Sequence, residues 1–365
     1  VLTFTLHNVN VSIANALRRT ILSEIPIVVI ETETYEKNQC NIILNTSRLH
    51  NEIIKQRLSN IPIHTTLLRD DEDKKALPDN YQLIVNVENT SDNTIYVTTQ
   101  DFQLRDKNEG KILSDAEKET LFPGLFPKNT QTQQYIDFVR LRSKIGDDIQ
   151  GEQLSLVADF SVNVASQNSM YNVVSKCSYG NTPDKEKIAS VWKKTEEKLR
   201  SNGDTNEDIQ FQKVNFNLLD AQRSFVENSF DFIVQTIGIY ENKDIIRKAC
   251  AVLQNKFIDI VQIVDSELLP VYTSETTMQN SYDIHLEDED YTIGKIIEYI
   301  LYSKYFEGQQ TLSFCGFKKF HPHDTKSTIR LAFKDKNDKS IVNHYIRDVC
   351  VDAQQVFKDI YVMFK

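Results

Sequence analysis

The chain has no apolar run approaching the roughly 18 residues that a membrane-spanning helix requires, and its first residues do not resemble a secretory signal. It opens at Val1, so a short preceding piece is expected. It contains no CxxC pair, no HExxH or GxSxG motif and no glycine-rich phosphate loop. Those absences remove the usual sequence warrants for a structural zinc, a metalloprotease, a serine hydrolase or a P-loop nucleotide enzyme. The five cysteines, Cys40, Cys177, Cys250, Cys315 and Cys350, are scattered and odd in number. That pattern points to free thiols in a reducing, intracellular compartment. Basic charge is also short: 42 Lys and Arg stand against 52 Asp and Glu, a formal charge of −10, with an acidic block at Asp70, Asp71, Glu72 and Asp73. Proteins that read duplexes neutralise several phosphates with clustered cations, so protein partners are favoured here over direct nucleic-acid contact.

What is present is ordinary globular composition, 40% apolar and 26% charged, over a length sufficient for two or three domains. Val11 to Glu24 reads as a first helix. Ser12 is its expected N-cap, Ile13, Leu17 and Ile21 recur every four residues, and Pro26 follows its end. Ile27 to Ile30 reads as a short buried strand continuing through Thr32, Thr34 and Tyr35. A second helix is expected over Arg48 to Ser59, capped by Thr46 or Ser47, with Leu49, Ile53 and Leu58 inside. Residues 66–208 read as a β-rich inserted domain, because Tyr81 to Val87, Ile95 to Val97 and Leu154 to Val164 alternate between turn-forming residues. Its last part, Lys185 to Arg200, reads as a charged helix carrying the only tryptophan, Trp192. Residues 265–279 read as a linker, Tyr291 to Tyr302 as a helix, and Leu312 to Phe320 and Thr328 to Phe333 as strands.

Two segments carry stronger periodicity. Ile246, Cys250, Leu253, Phe257, Ile260 and Val264 are spaced by alternating fours and threes, as are Val342, Ile346, Val349, Ala353, Val356, Ile360 and Met363. Such spacing draws one apolar seam along a helix. Ordinary amphipathic helices lying on a sheet would account for it; so would two helices packed on each other. A second regularity favours the latter. Ser12-Ile13-Ala14 can be laid over Thr292-Ile293-Gly294, each opening a short helix, with strands and a seamed helix later in each half. The chain thus reads as two copies of one helix–sheet–long-helix unit, the first at 1–65 and 209–264, the second at 280–365. Leaving either seam in water costs roughly 1.5–3 kcal/mol per large aliphatic side chain. Fusion makes mutual burial intramolecular, at an effective concentration on the order of millimolar. The expected fold class is therefore α+β, an intramolecular pseudo-dimer with a β-rich insert. Its seam is expected at Ile246, Leu253, Phe257, Ile260, Ile346, Val349, Val356 and Ile360.

At this level the segment Asn15-Ala16-Leu17-Arg18-Arg19-Thr20-Ile21-Leu22-Ser23-Glu24-Ile25-Pro26 resembles the first helix of the RNA polymerase alpha-like family. That family includes the bacterial alpha N-terminal domain, its archaeal D-type counterpart and the third-largest subunit of RNA polymerase II. Asn45-Thr46-Ser47-Arg48-Leu49-His50-Asn51-Glu52, with Gln56-Arg57-Leu58 and Ile61-Pro62, is similar to the family's second motif. Val97 to Phe102 and Gly151 to Leu154 are similar to stretches of its inserted domain. Leu286 to Gly294 and Phe314 to His323 resemble the smaller partner, the archaeal L-type protein or the eleventh polymerase II subunit. The second half departs from that pattern in having Tyr291 where the family has His and Lys295 where it has Asn. Cellular relatives carry the halves on separate chains, and the fused form resembles that of large cytoplasmic DNA viruses.

The resemblance implies a non-catalytic scaffold that nucleates assembly of the two largest polymerase subunits, with a small accessory subunit as a further partner. It implies docking through Asn15, Arg18, Arg19, Glu24 and Arg57, and contact with DNA or RNA only through the complex. Neither a membrane nor a homo-oligomer is expected. If viral, the chain belongs in the virion and host cytoplasm; if cellular, in the nucleus. Some relatives bind zinc or an iron–sulfur cluster in the insert through several cysteines. Here that region offers only Cys177, so no cofactor or metal is expected. His321-Pro322-His323 lacks neighbouring ligands, and Asp288 and Asp290 read as solvated or capping residues. Arg18 and Arg19 sit about 100° apart on a helix and can flank a buried face while presenting guanidiniums to a carboxylate partner. Glu298 and Tyr299 occupy the equivalent places in the repeat. A free-standing regulatory adaptor built on the same fold is the alternative from another class, and an enzyme is a third that no residue pattern supports.

Overall fold

The computed structural model describes residues 1–65, 77–146, 148–274 and 278–364. The acidic block at Asp70, Asp71, Glu72 and Asp73 lies outside them. The chain divides into two compact units: Val1–Ile21, Lys176–Gln235 and Ile246–Lys365 form one, Leu22–Ser175 and Thr236–Ile245 the other. Among the described residues no helix is long and apolar enough to cross a membrane.

The first unit holds two sheets. β1 (Leu2–His7) pairs antiparallel with β11 (Phe225–Thr236), which is also bonded to β10 (Val174–Pro183). In the second sheet β12 (Val271–Thr273), β13 (Ser281–Glu287), β15 (Lys326–Phe333) and β14 (Leu312–Lys318) lie side by side in that order, all antiparallel. α1 (Val11–Ser23) follows β1, and α7 (Tyr291–Leu301) follows β13 at an offset of 280 residues. The correspondence extends to the backbone. Asn8 and Asp288 both adopt the left-handed conformation, at φ 57° and 54°, which Asn and Asp tolerate better than other side chains.

Caps differ from expectation. Asn10 Oδ1 accepts the Ser12 N–H at 2.9 Å, and Asp290 Oδ1 accepts the Thr292 N–H at 2.7 Å. The caps are therefore Asn10 and Asp290, with Ser12 and Thr292 inside the first turn. Burial along 11–19 repeats position by position along 291–299. In the second copy the small residue is Gly294, where an added Cβ would lie 2.0 Å from the Phe317 ring. α7 ends in a π-helical turn, Tyr302–Gly308.

Each sheet then feeds a long helix, α6 (Asn242–Asp265) after β11 and α8 (Lys339–Met363) after β15. Ile246, Ala249, Cys250, Leu253, Phe257 and Ile260 are buried on α6, and the same spacing recurs 100 residues on as Ile346, Val349, Cys350, Ala353, Phe357 and Ile360. The two helices run antiparallel. Arg247 near the start of α6 lies over the Tyr361 ring and donates to its hydroxyl at 3.1 Å. Arg347 near the start of α8 pairs with Asp265 at 2.7 Å. Between these ends the Phe257 and Phe357 rings stack with centroids 6.2 Å apart. Val356 of the expected seam is only half-buried and Met363, the last residue of the periodic run, is 74% exposed, while Phe357, absent from the expected pattern, is fully buried. The 3.6-residue helix drifts from a strict 3.5-residue repeat, so the inner face passes from position 356 to 357.

Other corrections follow from local geometry. The expected linker contains β12, paired to β13. β10 and the charged helix α4 (Lys185–Asn202), assigned from sequence to the insert, belong to the first unit, because β10 is bonded to β11. A helix not anticipated, α5 (Asn206–Leu218), packs back on α4, and Trp192, Ile209, Phe216 and Ala221 form their shared core.

The second unit is built on the sheet β3 (Cys40–Asn45), β8 (Gln153–Asp159), β4 (Tyr81–Glu88) and β6 (Gln103–Asp106). The ribbons β2 (Ile27–Val29) with β9 (Ser161–Asn163) and β5 (Ile95–Thr98) with β7 (Asp137–Leu141) accompany it. Its core includes Leu83, Val85, Phe102, Phe138, Leu154 and Leu156. The strand expected through Thr32–Tyr35 does not form; Thr34 has φ 42° and the chain turns before β3. The helix expected from Arg48 begins later, as α2 (Asn51–Ser59), behind His50 with no side-chain cap. Its inner face is consequently Ile54 and Leu58, with Ile53 exposed. The short helix α3 (Asp115–Leu121) is opened by a capping box of Ser114 and Glu117.

Truncation of Phe357 to Ala should destabilise the protein by about 3–5 kcal/mol, and Val356→Ala by under about 1 kcal/mol. Urea unfolding of both variants checks this ordering, which reverses the one that a strict heptad would give.

Candidate functional site

Asn15, Arg18 and Arg19 lie on α1 in the first unit, and Glu24 and Arg57 in the second. The structure joins Asn15 to Arg18, whose Nε and Nη2 both donate to Asn15 Oδ1, at 3.1 and 2.9 Å. Arg57 Nη2 donates to the Asp137 carbonyl at 2.9 Å, which ties α2 to β7. Glu24 accepts a long, 3.4 Å bond from Ser23 Oγ.

Arg19, a docking residue by the resemblance, is engaged within the chain. Its Nη2 is ion-paired with Asp290 Oδ2, and its Nε donates to Thr292 Oγ1 at 2.8 Å. One side chain of α1 therefore grips both the cap and the second residue of α7. Lys256 of α6 reaches the adjacent Glu289 at 3.3 Å. Burial alone would raise the Asp290 carboxyl. The bonds from Thr292 and the charges of Arg19 and Lys256 outweigh it, and the group titrates below its ordinary value.

The equivalent position on α7 behaves differently. Tyr299 replaces Arg19, and Asn10 and Ser12 replace Asp290 and Thr292. Ser12 Oγ is buried with no hydrogen-bond partner. A cavity of about 390 Å³ opens there, with Asn10, Ser12, Tyr179, Tyr291, Tyr299 and Tyr302 among its walls. Lys295 and Glu298, also on its wall, are ion-paired with each other.

In the second unit the segment from Asn45 to Glu52 forms a polar loop around a cavity of about 320 Å³. Asn45 organises it: Nδ2 donates to the Leu49 carbonyl and to Asn51 Oδ1, both at 2.8 Å, and Oδ1 accepts from Ser47 Oγ at 2.6 Å. Thr46 Oγ1 accepts the Gln153 N–H at 2.7 Å, which fastens the loop to β8. Beside it Glu152 accepts from the backbone and guanidinium of Arg142 at 2.8 and 2.6 Å. Burial would raise the Glu152 carboxyl, but these bonds hold it below its usual range. Gly151 is required at this corner, since a Cβ would meet the Asn89 carbonyl oxygen at 1.8 Å.

All five cysteines are unpaired, and burial is the main reason their thiols are pushed up to between about 11 and about 12, which leaves them poor nucleophiles at neutral pH. His321 Nδ1 accepts the His323 N–H at 3.1 Å within a turn. Sequence reasoning missed the exposed stripe Phe211, Val214 and Leu218 on α5, whose i, i+3, i+7 spacing was the available signal.

Comparison with known proteins was consistent with this geometry. Residues 3–257 match the RNA polymerase Rpb3/Rpb11 dimerisation domain. The chain is similar to DNA-directed RNA polymerase subunit Rpo3 of Pyrococcus horikoshii, 40% identical over 96 residues, or 26% of this chain and 34% of the relative. It is similar in the same way to Rpo3 of Pyrococcus furiosus, 40% identical over 94 residues. These matches span about a third of the Pyrococcus relatives' length. Rpo3 of Methanosphaera stadtmanae is 23% identical over 288 residues, 72% of this chain and 94% of the relative.

A double-mutant cycle on Arg19→Ala and Asp290→Ala should give a coupling of about 0.5–1 kcal/mol, given the partial exposure of the pair. Because the folded Asp290 carboxyl titrates below its unfolded value, this contribution is complete above about pH 4 and is lost as pH falls through the lower, folded value. Chemical denaturation at pH 7 and pH 3 measures both.

Proposed function

Since the chain belongs to the RNA polymerase Rpb3/Rpb11 dimerisation domain family, we propose that it is a non-catalytic assembly subunit of a DNA-directed RNA polymerase, with two dimerisation modules fused and paired within one polypeptide. The observation that carries this reading is the antiparallel pairing of α6 and α8 through Phe257 and Phe357, with Arg247 and Arg347 reaching opposite ends. In this reading the first module comprises β1, α1, β10, β11 and α6, the second comprises β12–β15, α7 and α8, and the unit 22–175 with 236–245 is the insertion carried by the first. Ile246, Leu253, Phe257, Ile260, Ile346, Val349 and Ile360 form the dimer seam, with Phe357 in place of Val356.

A scaffold of this kind acts by presenting surface. Self-pairing satisfies the two seams internally, so the rest of the molecule is free to meet other chains. Asn15 and Arg18 on α1, with Glu24 and Arg57 on the other unit, are the residues we assign to docking the two largest subunits. Arg19 is reassigned to holding the modules together. No step of catalysis is asked of this chain, and the raised thiols and internally paired carboxylates described above suit that role. The fused arrangement accords with a polymerase of a large cytoplasmic DNA virus, which would place the chain in virion and host cytoplasm.

Native mass spectrometry of the complex purified through this chain should find one copy per assembly, together with the two largest polymerase subunits. Arg18→Glu with Arg57→Glu should reduce recovery of those subunits at least about tenfold. That corresponds to losing roughly 1.4 kcal/mol of association. Recovery of the chain free of any polymerase would instead favour a regulatory adaptor.

A further inference from the structure

The Arg19 site and the tyrosine-walled cavity are equivalent places in the two modules, related by the 280-residue offset, and their chemistry is not equivalent. At the first, an acid and a base meet: Asp290 Oδ1 accepts the Thr292 N–H, which leaves Oδ2 to accept Arg19. At the second, Asn10 Oδ1 likewise accepts the Ser12 N–H. The other atom of that amide is Nδ2, a donor. A guanidinium entering there would meet N–H groups where Arg19 meets an oxygen, so a second arginine is disfavoured. Ser12 Oγ, equivalent to Thr292 Oγ1, has no partner and can donate its proton. Lys295 stands in the same wall, and its pairing with Glu298 removes that carboxylate as a competing acceptor. The Tyr302 hydroxyl is bonded to Glu307, but those of Tyr291 and Tyr299 can donate as well. The substitutions have thus replaced an acceptor-plus-cation arrangement with a cavity whose polar end carries donors.

We propose that this cavity receives an acidic side chain, Glu or Asp, presented by another chain of the polymerase, with the carboxylate at Asn10 and Ser12 and its apolar stem against Tyr179, Tyr291 and Tyr299. The volume of about 390 Å³ lies within the range of built ligand pockets, about 300–1,000 Å³. A buried hydroxyl with no partner is a cost in the free chain, and a docked carboxylate removes it. The π-helical turn that begins at Tyr302 is a second irregularity on the same wall, of the kind that collects at functional sites. The partner's identity as a polymerase subunit rests on the scaffold reading, whereas the pocket and its preference for a carboxylate do not.

The test uses the isolated full-length chain with tyrosines selectively isotope-labelled, titrated with N-acetyl-glutamate N-methylamide and watched by NMR. Shifts should be confined to Tyr179, Tyr291, Tyr299 and Tyr302. The arginine analogue should bind at least about tenfold more weakly, and the glutamine analogue in between. Asn10→Asp combined with Tyr299→Arg rebuilds the acid–base pair of the first site, so it should fill the cavity and abolish the shifts while the chain stays folded. Equal or tighter binding of the arginine analogue would overturn the assignment, as would shifts spread over all tyrosines or persistence of binding in the double variant. Because the measurement involves no other subunit, its failure would leave the scaffold reading standing. Failure of co-assembly would in turn leave the pocket standing.

Discussion

The first unit depends on the face-to-face burial of two long helices that are each too apolar to stand in water. α6 and α8 both bury the i, i+3, i+4 spacing of large side chains along nearly their whole length, and the Phe257–Phe357 stack sits between them. At roughly 1.5–3 kcal/mol per buried large side chain, burial of these faces is a large stabilising term for both halves. Sheets and short helices arrange themselves around it: each sheet delivers its long helix, and each short helix follows a strand of its own sheet. Arg247 and Arg347, one at the start of each long helix, reach the far end of the partner, as antiparallel helices require.

Around this centre the corresponding segments of the two halves differ in side chain at one place. Arg19 clamps Asp290 and Thr292, whereas Tyr299 in the same place leaves Ser12 without a partner and opens a cavity. The backbone frame is shared, down to left-handed Asn8 and Asp288 and the caps Asn10 and Asp290. Side-chain identity alone separates an ion-paired contact from an open cavity.

Much of this was legible from residues alone, for physical reasons that differ from place to place. The long helices were readable because buried apolar spacing over six turns leaves little freedom, and the equivalence of Ile13 with Ile293 was readable because both lie under the same turn. Four things were not. The capping role of Asn10 was hidden because Ser12 is as good a cap by type, and only backbone geometry distinguishes N-cap from second position. The shift from Val356 to Phe357 was hidden because a heptad count ignores helical drift. The engagement of Arg19 was hidden because its partner lies 271 residues away and no local pattern encodes such a pair. Nor could the placement of β10 and α4 have been read, since it depends on a strand pairing with β11 far along the chain.

The claim that mutual burial of α6 and α8 holds the two halves together can be tested by separating them covalently. A protease site inserted after Ser274 cuts the chain between the halves, and size-exclusion chromatography with light scattering then reports their association. The account predicts that the fragments remain a one-to-one complex, and that Phe257→Asp with Phe357→Asp releases them. Fragments that part after cleavage in the native sequence, each staying folded, would contradict it.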